Sequence, residues 1–179
     1  MDETLYLVIY PILLISVPIY FVLSRKEAKH KRNIKWCIVL LLITIIGVEA
    51  IDTFTIKPSR ISGNGNPGIL VILANVPYFI GFQLSFGFLF GKWIEKFSKI
   101  KRVWIFGTTV LLLGLFIWIS AEHAQRLYET LAMYHEPNVY RGRLNQYTNT
   151  VFINLYTLFT TIFLNMMLVQ LIIGKEKKE

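Results

Sequence analysis

Two acidic residues stand inside an otherwise apolar run of this sequence. Glu49 and Asp52 lie three residues apart between Trp36 and Ile56, so on a helix they share a face. A charge at the centre of a membrane helix costs about 2.5–3.5 kcal/mol on insertion scales. A carboxyl kept there either serves function by ionising or is held by hydrogen bonds from a neighbouring helix. Counted back from Ile56, Glu49 sits about 10 Å and Asp52 about 6 Å below the outer end of the run. Asp52, near the interface, is either a second site residue or a helix-end group that reaches water. Tyr10, Asn75 and Thr157, on three other apolar runs, fall about 8–9 Å in from the same side. Polar groups avoid lipid and should turn inward to one another. The layer of Tyr10, Glu49, Asn75 and Thr157 is either structural hydrogen bonding or the floor of an outward-open polar pocket.

A second set of reactive types lies in the longest hydrophilic stretch, residues 121–150. It holds His123, His135, Arg141 and Arg143 beside Glu122 and Glu136. Arginines bind anions and a His or Glu moves a proton, so such a set suits a lipid headgroup phosphate. His123 and His135 are twelve residues apart, which is not a metal-ligand spacing on a helix. HExxH, GxSxG, P-loop and GxGxxG patterns do not occur. One cysteine, Cys37, excludes both an internal disulfide and a cysteine zinc site. No metal and no cofactor are expected.

The elements that position these residues follow from composition. Of 179 residues, 54% are hydrophobic and 17% charged, against about 25% charged in soluble domains. Mean hydropathy is +0.51, more apolar surface than a soluble single domain can hide. A disordered chain, a disulfide scaffold and the usual DNA-binding domain are excluded, and no nucleic-acid partner is expected. Five stretches reach the roughly 20 apolar residues of a membrane helix. They are Leu5–Leu23, Trp36–Ile56, Ile69–Phe90, Val103–Ser120 and Val151–Ile173. Acidic residues precede the first stretch and Arg25-Lys26 closes it, so it reads as a retained helix rather than a cleavable leader. The fold class is all-α, a polytopic transmembrane bundle in one domain spanning residues 1–179.

Charge sets the orientation. Residues 24–35, 91–102 and 174–179 carry fourteen Lys and Arg, and the alternate loops carry five. The basic loops belong in the cytoplasm, which puts the N-terminus outside and the C-terminus inside. The plasma membrane is the expected location. The polybasic segment 24–35 is either a topology signal alone or also a site for anionic lipid. Cys37 beside it is either buried or palmitoylated. Trp93, Ile94, Phe97 and Ile100 recur at helical spacing among lysines, which predicts a short helix lying in the inner interface. Ala121–Tyr134 is predicted helical from its apolar face, which includes Leu127 and Leu131. On the last run Asn154, Thr157, Thr161 and Asn165 form one polar stripe suited to helix contacts. Gly81 with Ser85, and Gly87 with Gly91, have the small-residue spacing that lets helices approach, a homo-oligomer included.

The leading functional reading is a non-enzymatic accessory or sensor subunit using an outward-facing polar pocket. The alternative is a small ion- or proton-coupled transporter protomer with Glu49 as the coupling carboxylate. A third is an intramembrane enzyme on a lipid-type substrate. The lipid bilayer and a membrane-protein partner, a second copy among them, are the expected partners.

Overall fold

The computed structural model describes residues 30–60, 65–135 and 144–176. The run Leu5–Leu23 with Tyr10, residues 24–29 of the polybasic segment, Arg141, Arg143 and the last three residues lie outside them. The described residues are helical, with no strand among them. The elements are α1 His30–Phe54, α2 Pro67–Ile94, α3 Lys99–Tyr134, a single turn α4 Asn149–Phe152, and α5 Leu155–Glu176. Four helical stretches are long and apolar enough to cross a membrane: Asn33–Phe54, Pro67–Ile94, Lys99–Tyr134 and Asn149–Gly174. The helices neighbour one another in the order α1, α2, α5, α3.

Local chemistry explains the boundaries. Lys57-Pro58 follows α1, and proline biases the preceding residue away from helix. Gly65 takes φ 77, a left-handed conformation that suits glycine. Pro67 then opens α2 at a position where its missing N–H costs nothing. α2 stops at Ile94, where the Arg102 guanidinium donates from Nε to the Phe97 carbonyl at 2.9 Å and from a terminal nitrogen to the Glu95 carbonyl at 2.8 Å. Carbonyls left over at a helix end are thereby satisfied.

That turn corrects the expected interfacial helix. Trp93 and Ile94 belong to α2, Ile100 belongs to α3, and residues 95–98 form the bend between them. Ile94 is fully buried, and Phe97 packs on the cluster of Phe90, Ile94 and Ile173. The helical spacing was real but came from the end of one long helix and the start of the next. The predicted helix Ala121–Tyr134 is present as the continuation of α3, with Leu131 buried. α3 thus has 36 residues, a rod of about 54 Å, longer than the roughly 30 Å hydrocarbon core.

Close approach carries the packing, since lipid leaves apolar helices no hydrophobic drive to associate. α1 presents Cys37, Leu40, Thr44, Val48 and Ile51, all buried. The Leu40 methyls lie about 3.5 Å from where a Cβ on Gly81 would stand. Gly87 faces Asn165, and Gly91 faces Val169 and Ile173. The small residues of α2 are therefore occupied by α1 and α5 of the same chain. Cys37 joins the core of Leu40, Phe82 and Leu158.

Candidate functional site

The polar groups within the spans are largely committed to one another. Asn75, buried on α2, donates from Nδ2 to the Thr44 carbonyl at 3.2 Å, and its amide lies against Gly47. The stripe on α5 turns to α2 as its spacing predicts. Gln83 donates to Thr161 Oγ1 at 2.9 Å. Asn165 Nδ2 donates to the Gln83 carbonyl at 2.7 Å and to Gln83 Oε1 at 2.9 Å. Gly87 makes room, because a Cβ there would stand 2.8 Å from Asn165 Oδ1.

Asn154 and Thr157 have another task. The backbone N–H of Thr157 donates to Asn154 Oδ1 at 2.9 Å, and that of Asn154 donates to Thr157 Oγ1 at 3.0 Å. This reciprocal pair is a capping box and restarts the helix as α5. It explains the break after α4 inside a single apolar run. The Asn154 amide also donates to the Thr150 carbonyl at 2.7 Å, tying the two pieces together.

Of the expected four-residue layer, the structure brings Asn75 and Thr157 to one cavity of about 360 Å³ between α1, α2 and α5. Its other walls are mostly apolar, Phe79 and Leu158 among them. Tyr10 lies outside the described residues. Glu49 does not turn toward Asn75 and Thr157. It is exposed on α1, on a stripe with Leu42, Ile46 and Thr53. The reason is rotational. The buried stripe of Thr44, Val48 and Ile51 fixes which side of α1 meets α2, and each residue advances about 100°. Glu49 is thus carried past the contact.

Charged side chains gather instead at the end of the bundle where α1 gives way to α2. A cavity of about 650 Å³ opens there, lined among others by Asp52, Lys57, Arg60, Leu127, Tyr147 and Thr150. A hydrogen-bonded clasp builds its frame. Asn66 and Asn149 exchange bonds through both side-chain amides, at 3.0 and 2.7 Å. Ile56 N–H donates to the Gln146 carbonyl at 2.8 Å. Tyr147 OH donates to the Arg60 carbonyl at 3.1 Å. His135 Nε2 lies 2.8 Å from the Pro58 carbonyl, and its ring packs on Tyr147. Asn145 Oδ1 accepts from the N–H groups of Tyr147 and Thr148, an Asx turn that starts the segment. Tyr147, Thr148, Asn149 and Thr150 are all buried.

The clasp fixes the backbone and leaves charge in play. The ion pair found among the described residues is Arg126 with Glu122, one turn apart on α3. Asp52, Lys57 and Arg60 take part in none among those residues, and all three are exposed. The cavity therefore offers two cations and one anion around a rigid frame.

Asp52 was expected as a site residue and lines this cavity; His135 supports it from behind. His123 stands apart, half-buried on α3 with its ring against Tyr156 and its Nε2 without a partner among the described residues. Among the described residues no three His, Cys, Asp or Glu side chains gather as a metal would need. Sequence reasoning missed Lys57, Arg60, Tyr147 and Thr150. The signal available was the pair of basic residues in a loop that charge bias otherwise keeps poor in them. No family model, no curated protein and no solved structure matches the chain.

Proposed function

We propose that the chain is a small multi-pass protein of the plasma membrane with five spans, its N-terminus outside and its C-terminus in the cytoplasm. It works as a non-enzymatic accessory or sensor subunit and meets its ligand at the outward cavity of Asp52, Lys57 and Arg60. The observation that carries this reading is the contrast in polar commitment. Polar side chains on the α2–α5 contact are bonded to one another, whereas the charged groups of the cavity are free of ion pairs among the described residues. Free charge on a braced backbone suits recognition, because the loop that carries it is already ordered and only its side chains remain to be fixed on binding.

The test is thermal denaturation of the purified protein against amino acids, dicarboxylates and phosphate esters. A ligand at a hundred times its Kd stabilises by about 2.7 kcal/mol. At least one class should raise the Tm of the wild type and leave a Lys57→Glu/Arg60→Glu variant unmoved. If every compound that acts on the wild type acts equally on the variant, the cavity is not the site.

The exposed carboxyl of Glu49, on a span with a buried opposite face, favours one second reading. A proton-coupled transporter protomer would use a titratable group within a span. Proteoliposomes carrying a pH gradient should then show proton flux that Glu49→Gln abolishes. Equal flux from wild type and variant removes that reading.

A further inference from the structure

The opposite end of the bundle holds a groove with a different character. It lies between the start of α3 and the end of α5, with a volume of about 470 Å³. Val103, Phe106 and Ile173 make apolar walls, and Lys99 and Arg102 stand at its mouth. Neither cation is neutralised by a carboxylate among the described residues. Arg102 is held in place by the Phe97 and Glu95 carbonyls. Those bonds fix the guanidinium without cancelling its charge. The surrounding loop, residues 91–102, carries five Lys and Arg and one acidic residue. From this geometry we infer that the groove is a binding site for one anionic phospholipid, its phosphate at Lys99 and Arg102 and an acyl chain along Phe106 and Ile173.

Charge complementarity selects this occupant. A zwitterionic lipid would bring a cationic group toward a loop already rich in cations. A soluble anion would leave the apolar walls of Val103, Phe106 and Ile173 unused. A peptide helix would need a wider face than α3 and α5 leave between them, since the two pack on each other directly. A fixed guanidinium beside a mobile lysine also lowers the ordering cost of holding a phosphate. The site is independent of the outward cavity, which lies at the other end of α3.

The test is native mass spectrometry of the full chain released from vesicles of equal phosphatidylglycerol and phosphatidylcholine with matched acyl chains. The wild type should retain one phosphatidylglycerol in clear preference. Lys99→Gln should lower that retention about fivefold, the share of one basic residue at a membrane surface. Lys101→Gln removes the same charge from the same loop at an exposed position outside the groove, and should leave retention within twofold of the wild type. Val103→Trp, which fills the groove and keeps every charge, should lower retention as Lys99→Gln does. Equal retention of both lipids overturns the proposal. So does a Lys101→Gln loss as large as that of Lys99→Gln, or full retention by Val103→Trp, because either result means diffuse attraction rather than a site.

Discussion

Substituting Gly47 by alanine tests the α1–α2 contact at its tightest point. A Cβ built on Gly47 overlaps the Asn75 amide, with Nδ2 at 2.5 Å and Cγ and Oδ1 nearer still, where ordinary contact begins near 3.4 Å. Asn75 is short and anchored to the Thr44 carbonyl, so it has to leave that bond or push the helices apart. Overpacking costs about 1–3 kcal/mol. Leaving the Thr44 carbonyl and the Asn75 amide unpaired costs about 1–3 kcal/mol more. Alanine returns about 1 kcal/mol through helix propensity. The net expectation is a loss of about 1–5 kcal/mol, the sum of these three effects. Reversible unfolding in mixed micelles, followed by circular dichroism, measures it. Gly114→Ala is the control, because nothing lies within 4 Å of its built Cβ, and it should be neutral or slightly stabilising. Gly47→Ala combined with Asn75→Ala should recover part of the loss, because the atoms that clash are gone. A Gly47→Ala protein as stable as the wild type would refute the packing argument. So would a double variant whose loss is the plain sum of the two single ones.

Asn165→Leu should cost about 1–3 kcal/mol by leaving Gln83 Oε1 without its Asn165 donor in the bundle, whereas Asn165→Leu with Gln83→Leu should cost less than the single change; the same unfolding assay reads both. Asn149→Ala breaks both amide bonds to Asn66 and should expose the loop 55–60 to protease, with faster cleavage there and unchanged cleavage at the 95–98 turn. Glu49→Gln should keep the protein folded and inserted, since an exposed carboxamide asks no new partner; misfolding of this variant would mean that the carboxylate is structural. A cysteine at position 96, in a Cys37→Ser background, should resist an impermeant thiol reagent in intact cells, and labelling there would reverse the orientation.

Much of the architecture was legible because lipid imposes a strong filter on sequence. Continuous apolar runs gave the four described spans to within a few residues at most ends. The exception is α3, where the apolar run stops at Ser120 but the helix goes on to Tyr134. Hydropathy marks where lipid ends, and the backbone is under no obligation to stop there. The α5 stripe was readable because its spacing of three and four is geometric. The rotation of α1 was not, since Glu49 and Gly47 are two residues apart and the contact of Thr44, Val48 and Ile51, with Gly47 against Asn75, decides which of the two faces α2. The cavity at the 55–60 end escaped for a related reason. Its frame joins residues far apart in sequence, such as Arg60 with Tyr147 and Pro58 with His135. Depth arithmetic speaks only of residues inside spans, and so it passed over Lys57 and Arg60.

The length of α3 has a mechanical consequence. One unbroken helix reaches from the groove of Lys99 and Arg102 to the cavity wall at Leu127. With no break along its length, the helix would carry a displacement at one end toward the other. Pivoting by about 10° around its middle would sweep each tip through about 5 Å in opposite directions. The clasp of His135 on Pro58 lies just beyond the far tip, and it would feel that sweep as leverage. If each end takes a guest, the two would meet on the same shaft.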